Sequence, residues 1–299
     1  MRVAYLSDIH ADISRRNWSV IDLLIEALRE VDPDVFVICG DISHRLDDIE
    51  YAFRKLEEVK SLKIFVSGNH DIWISKTKQK KGYNSYVKYY RDIKGICEKH
   101  NVTYLAKEPA VISDVAFVGT MGWYDYSLRN EALDDLIPMS SYRAKKSIYG
   151  YWNDAKWAYW PLDLNIENRD WRIRRLCLRM SDEKVTNMLC QDLAEQIRLV
   201  KGKVKQIIAV THMVPFKELI EYTGDPSIDF FYAFAGSTKI GKILKACKLV
   251  THVIYGHIHK QSSAEIHSIN CYSSPIGYLD DFEGDLLDYV YETLGYFSL

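Results

Sequence analysis

Apolar positions along the chain fall into two rhythms. Short unbroken runs have the length and continuity of buried strands. They are Arg2 to Leu6, Val35 to Cys39, Ile64 to Val66, Val102 to Leu105, Val111-Ile112, Val115 to Val118, Gln206 to Val210 and Thr251 to Tyr255. Between them apolar residues recur at helical spacing. Val20, Ile21, Leu24, Ile25, Leu28 and Val31 share one helical face, which Asp32-Pro33-Asp34 ends. Leu46, Ile49, Phe53, Leu56 and Val59 predict a second helix, and Tyr86, Tyr90, Ile93 and Cys97 a third. Val185, Met188, Leu189, Leu193, Ile197 and Val200 predict another, with Ser181 as its N-cap. Ile240, Ile243, Leu244 and Cys247 suggest a short helix, and residues 264–272 a hairpin. The last fifteen residues fit strand and helix equally. Strand, helix, strand in succession predicts right-handed βαβ units with neighbouring parallel strands. The expected class is α/β.

Polar residues that can do chemistry gather where the apolar runs stop. Asp8 and His10 follow the first strand, and Gly40-Asp41-Ile42-Ser43-His44-Arg45 the second. Gly68-Asn69-His70-Asp71 follows the third, His212 the strand ending at Val210, and Gly256-His257-Ile258-His259 the strand ending at Tyr255. Open α/β sheets bind ligands beyond the carboxyl ends of their strands. In extended chain, a spacing of two points Asp8 and His10 the same way. Asn69 offers a neutral oxygen to a metal, and His70 can carry a proton near neutral pH. Besides His44, five of the nine histidines lie at these strand ends: His10, His70, His212, His257 and His259. Buried polar groups are costly without partners. A metal supplies a partner for all of them at once.

Composition narrows the setting. The chain has 299 residues, 47% of them hydrophobic, enough for one large α/β domain or two smaller ones. With no internal repeat and no low-complexity linker, it reads as one domain over residues 1–299. The net charge of −2 gives no sequence-wide reason for a nucleic-acid or membrane partner, and leaves a local basic patch open. No apolar run is long enough to span a bilayer. The first strand begins almost at Met1, so no signal peptide is expected. Six scattered cysteines without a Cys-x-x-Cys read as reduced core thiols, which predicts a cytoplasmic protein.

Asp8-x-His10, Gly40-Asp41, Gly68 to Asp71, His212 and Gly256 to His259 together resemble the motif series of the calcineurin-like metallophosphoesterase superfamily. The resemblance runs in the family's order from residue 5 to residue 259. It implies a two-sheet β-sandwich flanked by helices, and a site for two divalent ions. By resemblance, Asp8, His10 and His259 hold the first ion, Asn69, His212 and His257 the second, and Asp41 bridges them. The chemistry of the set agrees. Two close cations repel, and a shared carboxylate offsets this. Mixed imidazole and carboxylate ligands suit Mn, Fe or Zn better than Ca or Mg. The implied activity is metal-dependent hydrolysis of a phosphoric ester by in-line attack of a metal-bridging hydroxide. The family's histidine at position 70 donates a proton to the leaving oxygen or stabilises the phosphoryl group. Asp71 is counted with it as catalytic.

One position, His44, departs in two ways from relatives with well-defined substrates. His44 stands where purple acid phosphatases carry a tyrosine, which argues against a tyrosine-ligated ferric site. His44-Arg45 also replaces the Asp-Arg of the Ser/Thr phosphatases, whose aspartate orients the catalytic histidine. Gly-Asp-x-x-His resembles instead the double-strand-break repair exonucleases and some phosphodiesterases. His44 is thus either an assisting group at the phosphate or a surface turn residue, and Arg45 either a phosphate clamp or a solvated charge. Residues 120–180 fall outside the motif series and hold five of the seven tryptophans with the basic run Arg172-Ile173-Arg174-Arg175. They read as an insertion whose aromatics form a small core, or as a cap over the site with Trp123 and Tyr124 as its substrate-facing rim. The expected substrate is a small phosphomonoester or phosphodiester, nucleotide-like in having a flat ring. A repair-type exonuclease, which keeps nucleic acid as a partner, and a non-catalytic metal-binding scaffold are the alternatives.

Overall fold

A computed structural model describes residues 1–162 and 179–299. Trp171, Cys177 and the basic run 172–175 lie outside the described residues. The strands are β1 Arg2–Leu6, β2 Val35–Cys39, β3 Leu62–Val66, β4 Val102–Tyr104, β5 Ala110–Ile112, β6 Val115–Thr120 and the short pair β7 Lys146–Ser147 and β8 Gly150–Tyr151. They continue as β9 Gln206–Thr211, β10 Val250–Tyr255, β11 Ser262–Ile266, β12 Ile269–Ser273 and β13 Gly295–Ser298. One sheet runs β13-β1-β2-β3-β4 and the other β11-β12-β10-β9-β6-β5.

Alternation within each apolar run builds the layers. Val3, Tyr5, Val35, Val37, Ile64 and Val66 point inward and meet Phe117, Ile208, Val210 and Ile254 of the facing sheet. The residues between them point out. Ala4, Leu6, Phe36, Ile38 and Phe65 pack against the helices Arg15–Val31, Leu46–Leu56 and Ile93–Lys99. Ala116, Val118, Ile207, Ala209 and Val253 pack against Asp182–Val200 and Thr238–Lys245. Both faces of these strands are buried, which is why the runs are continuous and not alternating. The ambiguous tail contains both elements. Leu286–Thr293 is a helix, and Gly295–Ser298 returns as an edge strand antiparallel to β1.

β1, β2 and β3 are parallel neighbours, with Leu6 opposite Ile38 and Ile38 opposite Phe65. β9 and β10 are parallel neighbours in the second sheet, with Val210 opposite Ile254. The polar loops that leave these five strands therefore meet at one rim.

Candidate metal centre

The backbone turns sharply where β1, β2 and β10 reach that rim. Asp8, His10, Asp41, His257 and His259 all have positive φ, between 47° and 75°. Non-glycine residues rarely adopt this region, and such strain gathers at functional sites. The Asp8-x-His10 spacing therefore does not work as extended chain. Two left-handed residues, not a pleat, bring the side chains together. The adjoining glycines answer to crowding. Gly40 has φ +89°, and a Cβ there would lie 2.5 Å from His212 Nδ1. A Cβ on Gly68 would lie 2.1 Å from Asp41 Oδ1.

All seven candidate ligands come together, and five of them, Asp8, His10, Asp41, Asn69 and His212, are almost fully shielded from solvent. His10 Nε2 lies 2.9 Å from His259 Nε2, and His259 Nε2 lies 3.4 Å from Asp8 Oδ1. On the other side, His212 Nε2 lies 3.2 Å from both Asn69 Oδ1 and His257 Nδ1. Asp41 Oδ2 stands between the groups, 3.7 Å from His10 Nε2 and 3.4 Å from His212 Nε2. Asp8, His10 and His259 form one set of mutually close donor atoms, and Asp41, His212 and His257 another. A third set joins His70 to His10 and Asp41.

The donor chemistry fits two cations. Ligand nitrogens about 2.0–2.1 Å from one ion stand roughly 3 Å apart, which is the spacing of these ring nitrogens. The outward ring nitrogens of His212 and His257 are held as in metal sites. His212 Nδ1 donates to the Cys39 carbonyl at 2.8 Å, and His257 Nε2 to the Phe234 carbonyl at 3.2 Å. Each bond leaves the other nitrogen of the ring facing the cluster. The electrostatics ask for positive charge. Although burial opposes it, His212 and the other imidazoles hold the Asp41 carboxyl well below the usual range. His259 likewise lowers Asp8 against burial. Burial opposes charging of His212, yet Asp41 and Asp8 raise it to about 10.

His70 sits at the edge of the cluster. Its backbone N–H donates to Asp41 Oδ1 at 2.8 Å, and its ring stacks on Trp73 at 3.6 Å. Its Nδ1 is buried and meets no partner among the described residues. Burial lowers its pKa. His44 is exposed at the same rim, with Nδ1 bonded to the buried Asp12 carboxylate. Arg45 pairs with Asp48 at 2.7 Å. His44 and Arg45 line a cavity of ≈330 Å³ with Trp73, Lys78, Tyr83 and Lys88.

Lys88 ties the His44 and Trp73 loops together by donating to their carbonyls at 2.6 and 2.9 Å. Burial lowers its ammonium to about 8. Between that value and the ordinary lysine pKa, the unfolded chain binds more protons than the folded one, so stability rises with pH. Lys88→Gln should flatten the rise between about pH 8 and about pH 10, read from denaturant midpoints of both proteins.

Two sequence expectations need correction. Asp71 does not face the cluster. Its Oδ2 accepts from the N–H groups of Asp41 and Gly68, and its Oδ1 from those of Ile42 and Ser43. It fastens the Asp41 loop to the Asn69 loop. Burial and the nearby Asp41 charge push its carboxyl up, and the N–H donors oppose them. Trp123 and Tyr124 form no rim. Both are buried in the main core, where Trp123 Nε1 donates to Asp182 and Tyr124 Oη to Asp154. The chain turns inward after β6 through Gly122, at φ +72°. The aromatics near the ligands are others. Trp152 sets its edge on His257 at 5.7 Å, Trp73 stacks on His70, and the half-exposed Tyr278 lies 4.8 Å from both His10 and His259.

Asp154 had no signal in the sequence beyond being one acid among many. It starts the helix Asp154–Trp157 and is 1% exposed. It accepts from Asn69 Nδ2 at 3.1 Å and Trp73 Nε1 at 2.6 Å on one oxygen, and from Trp152 Nε1 at 2.8 Å and Tyr124 Oη at 3.1 Å on the other. Burial raises its carboxyl, and the donors oppose that.

Two facing sheets whose strand-end loops gather imidazoles and carboxylates at one rim define an α/β fold with a candidate metal centre. The profile of calcineurin-like phosphoesterases matches residues 1–261, and the chain belongs to that family. Among solved structures, the chain is similar to the phosphopantetheinyl hydrolase of Mycobacterium tuberculosis, at 16% identity and TM-score 0.60, over 92% of this chain and 89% of that one. It is also similar to the protein TT1561 of Thermus thermophilus, at 11% identity and TM-score 0.53, over 99% and 97%. At these identities the likeness concerns the fold. No curated protein matches the sequence. Among the described residues, no helix is long and apolar enough to cross a membrane.

Proposed function

We propose that this chain hydrolyses a small phosphomonoester or phosphodiester at a centre of two divalent ions, Mn, Fe or Zn. The observation that carries the reading is the position of Asp41, whose carboxylate stands between two separate sets of donor atoms. Asp8, His10 and His259 would hold one ion, Asn69, His212 and His257 the other, with Asp41 shared. Such ions, when bound, supply an activated water and neutralise charge on the phosphate oxygens. His70 is the group to manage the proton of the leaving oxygen. Stacking on Trp73 restricts its ring, in place of the orienting aspartate of the Ser/Thr phosphatases. A cytoplasmic setting belongs to the same reading, since the five described cysteines are buried and free.

The organic part of the substrate has a candidate seat beside His257. Trp152, Ile228, Phe231 and Tyr232 wall a cleft of ≈290 Å³ with no charged side chain in its lining. A flat, uncharged group such as an aryl ring or a base suits it. Phe231→Ala should lower kcat/KM for aryl esters by roughly tenfold, the worth of modest apolar contact, and leave a small alkyl ester unchanged. Equal losses on both would remove the cleft from recognition.

The testing experiment is a parallel assay of mono- and diesters with Mn²⁺ added, together with metal analysis of the purified protein. Hydrolysis that needs the metal is expected. Two bound ions without turnover on any phosphoester would point to a scaffold instead. A repair-type exonuclease is the second reading, favoured by His44 held on Asp12 beside a cavity that Arg45, Lys78 and Lys88 line. Single-stranded DNA in the same assay separates it.

If His44 assists departure, His44→Ala should hurt diesters with poor leaving groups by about 10²-fold. Activated aryl esters, whose oxide needs no proton, should change little. Uniform losses would assign His44 another task.

A further inference from the structure

We propose that Asp154, which the insertion contributes, is a positioning residue for the second metal ion: its carboxylate holds the Asn69 amide so that Oδ1 faces His212 and the cluster. The inference rests on reading Asn69, His212 and His257 as ligands of one divalent cation.

The argument is one of donors and acceptors. The two ends of an asparagine amide have nearly the same shape and opposite polarity. Only the oxygen can ligate a cation. Asp154 Oδ1 lies 3.1 Å from Asn69 Nδ2, while Asn69 Oδ1 lies 3.2 Å from His212 Nε2. An ionised carboxylate only accepts, so it selects the amide nitrogen and sends the oxygen to the cluster. Asp154 is itself fixed. The indole N–H groups of Trp73 and Trp152 can only donate, and they hold one carboxylate oxygen each, at 2.6 and 2.8 Å. The same indoles touch the site, Trp73 on His70 and Trp152 on His257. One buried carboxylate thereby joins a ligand and two walls of the site. It comes from the stretch that lies outside the shared motifs. The insertion then serves the metal centre from behind, through a hydrogen bond, as well as flanking it.

Asp154→Asn replaces the acceptor-only group with an amide that can meet either end of Asn69. Mn²⁺ titration by calorimetry, with metal analysis after dialysis, should show one of two ions bound 10- to 100-fold more weakly, the usual cost of losing an outer partner. The other ion should keep its parent affinity. The double variant Asn69→Asp with Asp154→Asn exchanges carboxylate and amide and keeps the total charge, so it should recover binding of the weakened ion. A folded double variant without recovery, or Asp154→Asn binding both ions as the parent does, would overturn the positioning role. A parent that never binds a second ion would instead overturn the two-ion reading. A measurement on the parent protein covers the case in which Asp154→Asn does not fold. The Asn69 side-chain NH₂ protons should exchange slowly with solvent both before and after Mn²⁺ is added. Fast exchange before metal addition would contradict the Asp154 bond.

Discussion

Asp41→Asn is expected to lower turnover by about 10³-fold or more, and by more than the loss of any outer ligand. The reason is the place of its charge. Asp41 belongs to the set of His212 and His257 and lies within reach of His10 of the other set. On the proposed two-ion reading, an outer ligand such as His259 serves one ion. A shared carboxylate holds both and screens their repulsion, an effect of several kcal/mol at about 1.4 kcal/mol per tenfold in rate. Asparagine keeps the shape, so the fold should survive and the charge alone is tested. Metal analysis should show fewer than two ions per chain. Near-normal turnover with both ions bound would remove the bridging role.

Asp71→Ala is expected to act on stability. Asp71 is fully buried and accepts from four backbone N–H groups in two loops. Each buried donor left without a partner costs about 1–3 kcal/mol. Together the loss is about 4 kcal/mol or more, a large part of the 5–15 kcal/mol that holds a typical domain together. Asn is no rescue, because its NH₂ would face donors. Denaturant midpoints in chelator should fall sharply for both variants. A catalytic Asp71 would behave otherwise, with turnover lost and the midpoint kept. The distinction matters because the Gly-Asn-His-Asp motif reads as four active-site residues in a row, and the hydrogen bonds divide it. Asn69 and His70 face the site, and Asp71 fastens the loops that carry them.

Much of this protein was legible in one dimension. The α/β class follows from apolar runs whose alternate residues fill the space between the sheets and the space beneath the helices, as Val3 and Ala4 do. The strand ends mark the rim of the site, because parallel neighbours deliver successive loops to one side. The helix N-cap at Ser181 was a local signal, and its side chain accepts from the Lys184 N–H. The ordered series of motifs carried the family, and with it the seven donors that the fold gathers at one place.

Other features depended on contacts between distant parts of the chain. The C-terminal residues fit strand and helix equally by propensity, and pairing with β1 decided where the helix gives way to a strand. Trp123 and Tyr124 closely follow β6 in sequence and are buried in the main core, since a left-handed glycine turns the chain inward. Asp8 and His10 converge through positive φ, a conformation that their spacing does not announce. Asp154 stands 85 residues from Asn69. A carboxylate's task is set by the donors it meets, and no local pattern records donors from Asn69, Trp73, Tyr124 and Trp152. Periodicity and motif order determined the layers and the residues that gather at the rim, because those are local or cumulative along the chain. Which acid fastens a loop and which accepts from the Asn69 amide was decided only by tertiary structure, because hydrogen bonds select partners by position in space.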